Sequence, residues 1–187
     1  FNELGEVADY FLVHNREIYA PLDDSVVVVI NNKPRFIRRS RGYVPEPIHC
    51  DGLEQTSILA MGSDLKNAFA MNKGSEVLVG PHIGDLENIS THETLEWTIK
   101  RYKSLFSVQP DKIIIDSHPQ FFSSRLGEKI GESFHLSVVP VQHHHAHIAS
   151  VMAEHNLRAC TRDCYGWYWL WSRWNYMAVS YTHLRAH

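Results

Sequence analysis

The chain alternates between short apolar runs and longer stretches whose apolar residues recur every three or four positions. Leu4, Val7, Ala8, Phe11 and Leu12 have the helical period, which predicts a short amphipathic helix over residues 3–13, broken by His14-Asn-Arg16. Residues 25–30 are a β-branched run, Asn31-Asn-Lys-Pro34 predicts a hairpin turn, and residues 35–39 the returning strand. Gly42-Tyr-Val-Pro-Glu-Pro47 then punctuates the chain as a domain boundary would. Beyond it, strands are predicted over 57–61, 68–71 and 76–79, with the polar loop Gly62-Ser-Asp-Leu-Lys-Asn67 between the first two and His82-Ile-Gly-Asp85 after the third.

The second half has the longer periods. Leu95, Ile99, Tyr102 and Phe106 form an apolar stripe, so residues 90–106 read as a helix, capped by Ser90 or Thr91 with Glu93 in its first turn. A buried strand over 112–116, a helix over about 121–131 and a strand over 136–141 follow. Ile148, Val151, Met152 and Leu157 then continue at roughly helical spacing. Alternating strands and helices predict a mixed α/β fold with a partly parallel sheet, whose ligands usually sit at the carboxyl ends of strands. Asp116, His118 and His143 all fall at such ends.

Composition narrows the class without naming a chemistry. Across 187 residues, 44% hydrophobic and 21% charged content is that of ordinary globular protein, enough for one domain or parts of two. The net charge of −3 gives no general argument for nucleic-acid or membrane partners. No apolar run is long enough to span a bilayer, and three cysteines predict a reducing compartment rather than a disulfide framework. A cytoplasmic location follows as the expectation. Phe1-Asn-Glu-Leu shows neither an initiator Met nor a signal-peptide pattern, so the chain reads as a piece of something longer.

Candidate chemistry concentrates in Gln142-His-His-His-Ala-His147. His143 and His147 are four apart and share a helix face, a spacing that can supply two imidazoles to one divalent metal, zinc or iron. Spacing alone leaves His144 and His145 open as ligands, and solvated histidines at a helix start are the plainer alternative. Two weaker signals concern phosphate. Ser25 at the mouth of one strand and Arg38, Arg39 and Arg41 at the end of the next suit a phosphate-bearing ligand, although an edge strand with solvated charges has the same pattern. The 62–67 loop could bring backbone N–H groups and Lys66 to a phosphate, or be a plain turn.

Several stretches, in order, resemble the hydrogenase maturation carbamoyltransferase family HypF. His14-Asn-Arg-Glu-Ile18, Asp23-Asp-Ser-Val26 and Arg38-Arg-Ser-Arg-Gly-Tyr-Val-Pro45 resemble the end of its YrdC-like domain. Asp64-Leu-Lys-Asn67, His82-Ile-Gly-Asp-Leu-Glu-Asn88, Asp116-Ser-His-Pro119 and the histidine cluster resemble the start of its following domain, which is similar to the actin-like (ASKHA) ATPase fold of the tRNA threonylcarbamoyl transferases. The resemblance covers about residues 1–157 and implies a YrdC-like end over 1–48, a linker over 49–56 and a partial actin-like α/β domain over 57–157.

It also implies an ATP-dependent carbamoyltransferase that makes carbamoyl-adenylate from carbamoyl phosphate and ATP. The carbamoyl group then passes to the C-terminal cysteine of HypE, on the route to the cyanide ligands of nickel–iron hydrogenase. Ser25, Arg38, Arg39 and Arg41 would hold the phosphate side, and the family's metal pair falls on His143 and His147. Asp64, Lys66, Asn67, Asp85, Asp116 and His118 would be further ligand contacts. The pattern departs at Ser63, where Gly is common, and at Gln120, where Asp is usual. No acylphosphatase-like segment, zinc-finger cysteines or first half of the YrdC-like domain occur. An inert fragment with weak metal binding, or an O-carbamoyltransferase of the same two-domain order, are the alternatives; the 23–25 and 82–88 motifs favour the hydrogenase branch.

The resemblance stops after Leu157. Residues 158–187 hold four of the five tryptophans, at 167, 169, 171 and 174, together with Cys160 and Cys164. Tryptophan is encoded only by TGG, so reading one base later turns each into glycine. Shifted in this way, residues 163–177 permit Asp-Gly-Thr-Gly-Tyr-Gly followed by Asp-Gly-Thr, similar to the family's nucleotide-binding loop. A frameshift between about 157 and 163 is therefore expected, and residues 179–187 resemble a translated transposon-type sequencing adapter. On this reading Cys160 and Cys164 hold no metal.

Overall fold

The structure is a computed structural model that describes residues 4–17, 19–51, 53 and 55–155. The expectations placed on 156–187 lie outside the described residues.

Two strands come first in the chain. β1 (Val26–Ile30) and β2 (Lys33–Arg38) pair antiparallel, with Val28 opposite Arg35. Asn31 and Asn32 make the turn between them with φ of 51° and 57°, a left-handed conformation that asparagine tolerates. The turn is thus two residues, shorter than the predicted four. Pro34 lies inside β2, on a two-stranded ribbon where its missing donor costs no central ladder bond.

The remaining elements build one six-stranded sheet. They are β3 (Ile48–His49), β4 (Ile58–Ala60), β5 (Ala70–Lys73), β6 (Glu76–Val79), α1 (Ile89–Phe106), β7 (Lys112–Asp116), α2 (Phe122–Phe134), β8 (Ser137–Val141) and α3 (His143–Glu154). The strand order is β3-β6-β5-β4-β7-β8: β4, β7 and β8 run parallel, and the other pairings are antiparallel. Ile48, His49 and Leu53 are built into this unit. The first two form the edge strand on β6, and Leu53 is buried.

Both sheet faces are covered, which is why β4 and β7 read as unbroken apolar runs rather than alternating ones. On one face Leu59, Met61, Ile113 and Ile115 pack under Leu95, Ile99 and Tyr102 of α1 and Leu126 of α2. On the other, Ile58, Ala60, Ile114 and Val141 pack with Ala146 of α3. α2 lies close to the sheet because two glycines one turn apart face it. A Cβ at Gly127 would overlap Ile115, and one at Gly131 would overlap Val138. The first unit rests against this body through Val44, which packs on the first core cluster, and through Tyr19, whose ring lies 4.0 Å beneath the Arg101 guanidinium.

Two local expectations are corrected. The predicted helix over 3–13 does not form: residues 4–17 contain only a turn in which Val7 and Ala8 donate to the Leu4 carbonyl, and Leu4, Val7 and Leu12 stay exposed. So short a helix is marginal unless its apolar face is buried. α1 begins at Ile89 with Asn88 as its N-cap, without a side-chain cap bond and with no acidic residue in its first turn. Ser90 and Thr91 lie inside the helix, where the Thr91 hydroxyl bonds back to the Asn88 carbonyl, and Glu93 falls beyond the first turn.

Candidate functional site

The carboxyl ends of β7 and β8 lie side by side, with Asp116 opposite Val141 and the Ser117 N–H bonded to the Val141 carbonyl. Gln142 is the N-cap of α3, and the helix therefore starts on His143 directly above Asp116. Ala146 is fully buried against the sheet, which fixes the rotation of α3. His143 and His147 are left on an adjoining face, one turn apart.

Their imidazoles converge. The two Nε2 atoms lie 3.1 Å apart, and His143 Nδ1 lies 2.9 Å from Asp116 Oδ2. Two zinc–nitrogen bonds of about 2.0–2.1 Å at a tetrahedral angle would hold their nitrogens roughly 3.3 Å apart. The separation therefore fits two ligands of one metal. Among the described residues no group of three His, Cys, Asp or Glu side chains could hold a metal ion. His144 is exposed, its ring edge-on to that of His143 with the centroids 6.2 Å apart.

The other candidates have separate structural partners. The Asp64 carboxylate accepts the N–H groups of Phe122 at 2.6 Å and Ser123 at 2.9 Å, capping α2, whose own N-cap residue Phe121 has no side-chain acceptor. Asn67 is buried and donates its amide to the carbonyls of Met61 and Ser63, closing the loop after β4. Lys66, at φ 48°, donates its backbone N–H to Asp85. His118 stacks on Phe121 and accepts the Gln120 N–H, apart from the imidazole pair.

The arginines do not form one cradle. Arg38 pairs with Asp23 at 3.1 Å and Arg41 with Asp24 at 3.3 Å, both at exposed positions. Arg39 is buried and donates to the Glu46 carbonyl at 2.7 Å, so it braces the turn. Ser25 accepts the Ser40 N–H and donates to the Arg41 carbonyl, tying the start of β1 to the end of β2.

One residue stands out only in three dimensions. His82 lies between the units, and its pKa is lowered below the ordinary 6.5, first by burial and then by Arg38 and Lys66, with Asp23 and Asp85 opposing. Sequence reading placed it in a loop and in the 82–88 motif but not among the site residues; the charges of Asp23 and Arg38 reach it from a distant segment.

Comparison with known proteins decides the family. The model of the HypF Kae1-like domain matches residues 53–154. The chain belongs to the HypF family. It is 43% identical to the carbamoyltransferase HypF of Synechocystis over 154 residues, which is 82% of this chain and 20% of that protein. It is 40% identical to HypF of Rhizobium leguminosarum, again over 82% of this chain and 20% of the relative. The chain thus spans about a fifth of the length of these relatives. Its fold superimposes on full-length HypF crystallised in a phosphate- and nucleotide-bound form, with a TM-score of 0.74 and 44% identity, over 83% of this chain and 24% of that one. The T. kodakarensis HypF structure gives 0.75 and 40%, over 84% and 21%. The mixed α/β body is accordingly the actin-like fold of this family. No helix among the described residues is long and apolar enough to cross a membrane.

Proposed function

We propose that the chain is a portion of a carbamoyltransferase that forms carbamoyl-adenylate from carbamoyl phosphate and ATP and passes the carbamoyl group to the C-terminal cysteine of HypE. Residues 1–48 would end the adenylate-forming YrdC-like domain, 49–56 would join the two, and 57–157 would begin the actin-like transfer domain, all in the cytoplasm. The observation that carries this reading is the convergence of His143 and His147 at the carboxyl ends of parallel strands, where α/β proteins bind ligands. These two Nε2 atoms would hold the metal, zinc or iron. When bound, such an ion supplies Lewis acidity that stabilises charge as AMP leaves.

The remaining residues position. Arg38 and Arg41 would exchange their aspartate partners for the phosphate side of the adenylate, beside Ser25. Exposed ion pairs of this kind hold their partners by only about 0–1 kcal/mol, so a bidentate phosphate can displace them. Arg39 would keep the turn in place beneath them. Lys66, Asp85 and His118 would orient substrate from the loops of the second unit, with buried Asn67 closing its loop from within.

The test uses the complete parent protein. Carbamoyl-phosphate-dependent exchange between ATP and pyrophosphate reports adenylate formation, and labelling of a HypE C-terminal peptide reports transfer. His143→Ala and His147→Ala are expected to stop transfer and leave exchange in place; transfer that survives both substitutions would overturn the reading. Labelling of a small alcohol instead of the peptide would move the protein to the O-carbamoyltransferases. A second reading concerns the 187-residue chain alone. Having only two convergent metal-binding side chains among its described residues, it would bind metal weakly and catalyse neither step.

A further inference from the structure

The Asp116 side chain is 3% exposed, and both its oxygens are engaged. Oδ1 accepts the backbone N–H of His118 at 2.9 Å, and Oδ2 lies 2.9 Å from His143 Nδ1. Its backbone carbonyl accepts the buried Ser124 hydroxyl, and the next residue is bonded to the end of β8. The carboxylate is therefore held through Oδ1 and the backbone on either side of its Cα is tied down, with His143 at Oδ2.

We propose that Asp116 is a positioning residue for the metal pair rather than a ligand. An ionised carboxylate only accepts hydrogen bonds, so its contact with His143 requires the proton to be on Nδ1. That leaves the lone pair of His143 on Nε2, the atom that faces His147. A neutral histidine in water favours the opposite tautomer, with its proton on Nε2, where it would occupy the position of the metal. Asp116 reverses that preference and holds the ring at one angle. Carboxylates behind metal-bound histidines act in this way across unrelated folds. The inference rests on the metal reading of His143 and His147, and it revises the expectation that Asp116 touches ligand directly.

A merely structural role accounts for the Oδ1 contact, since an aspartate at a strand end commonly bonds the backbone two residues on. It does not account for Oδ2. Asparagine separates the two roles. Asp116→Asn keeps an oxygen for the His118 N–H but turns an amide donor towards His143 Nδ1. The ring must then carry its proton on Nε2, as in the corresponding substitution behind a catalytic histidine.

The test is zinc titration of the full chain by competition with a chromophoric chelator. It is paired with long-range nitrogen–proton NMR of the metal-free imidazoles at about pH 8, where histidine is neutral. In the unaltered chain His143 is expected to be protonated at Nδ1. Asp116→Asn is expected to move that proton to Nε2 and to weaken zinc binding by roughly 10–100-fold. Ser124→Ala, which loosens the same strand end without touching the carboxylate, should keep both the tautomer and the affinity. An Asp116→Asn chain with unchanged tautomer and affinity overturns the proposal, as does a Ser124→Ala chain that loses zinc equally. His147→Ala judges the metal reading separately. If it leaves zinc binding intact, that reading fails, while the NMR result still decides whether Asp116 sets the His143 tautomer.

Discussion

The Asp64 carboxylate and the Phe122 backbone N–H meet at 2.6 Å, joining the loop after β4 to the start of α2. The same carboxylate accepts the Ser123 N–H, so two of the four donors left over at that helix start are satisfied from another part of the chain. A negative charge there also opposes the positive end of the helix dipole. Asp64 therefore holds α2 against β7, and α2 in turn supplies the Ser124 hydroxyl behind Asp116.

Asp64→Ala is expected to lower stability by about 1–2 kcal/mol, the usual range for a lost helix cap. Asp64→Asn should recover part of that loss, because one oxygen remains. Urea denaturation of the three chains checks the order. A helix cap predicts that zinc affinity stays near that of the unaltered chain in both variants. A selective loss of zinc, without a loss of stability, would instead make Asp64 part of the ligand site.

The packing of α2 gives a prediction of opposite sign to helix propensity. Glycine inside a helix ordinarily costs about 1 kcal/mol relative to alanine, so Gly127→Ala would stabilise a free helix. Here the added Cβ overlaps Ile115 and comes within 3.0 Å of Met61, both in the core. Overpacking of that kind costs about 1–3 kcal/mol, so the substitution is expected to destabilise. Repeating it in an Ile115→Ala background removes the overlap. Thermal unfolding should then show Gly127→Ala neutral or stabilising, a coupling well above the few tenths of a kcal/mol of independent sites.

Elements defined by their own period were legible in the sequence, and contacts between distant segments were not. Lys112–Asp116 is apolar on both faces and forms the predicted strand, because its burial is written in its own residues. The α1 stripe lands in the core at Leu95, Ile99 and Tyr102 for the same reason. The spacing of His143 and His147 likewise implied a shared helix face. That Asp116 sits behind one of them depends on the register of β7 with β8, which no local pattern encodes. Arg38 and Arg39 show the same limit: Arg38, the last residue of β2, pairs with Asp23, and Arg39, just beyond the strand, donates to the Glu46 carbonyl, neighbours that nearness along the chain does not reveal. The 3–13 periodicity misled because helical spacing is stabilising only where something covers the stripe.

His82 predicts a dependence on pH. Burial and the Arg38 and Lys66 charges disfavour its protonated form, and the opposing Asp23 and Asp85 do not reverse this, so its pKa in the folded chain lies below 6.5. Between that lowered value and 6.5 the unfolded chain binds more protons at this residue than the folded one. The contribution to stability is therefore fully present above 6.5 and declines as pH falls towards the folded-state pKa. His82→Gln removes this component. Denaturation midpoints measured across the window should decline less steeply in the variant, and parallel profiles would show that His82 does not titrate differently on folding.

The last prediction concerns the coding sequence beyond the described residues. Reading the tail one base later turns Trp167, Trp169, Trp171 and Trp174 into glycines at the spacing Gly-x-Gly-x-Gly-x-x-Gly. A strand period accounts for Trp167, Trp169 and Trp171 but not for Trp174, and no helical period accounts for the four. A glycine-rich loop has a physical reason, because backbone N–H groups approach phosphate closely only where side chains are absent. Nucleotide sequencing of the source locus across codons 150–187 is expected to show an uninterrupted frame that passes through the glycine loop and continues downstream. An intact frame that encodes the tryptophans and ends in a genuine stop would refute the frameshift and make the aromatic tail part of the natural chain.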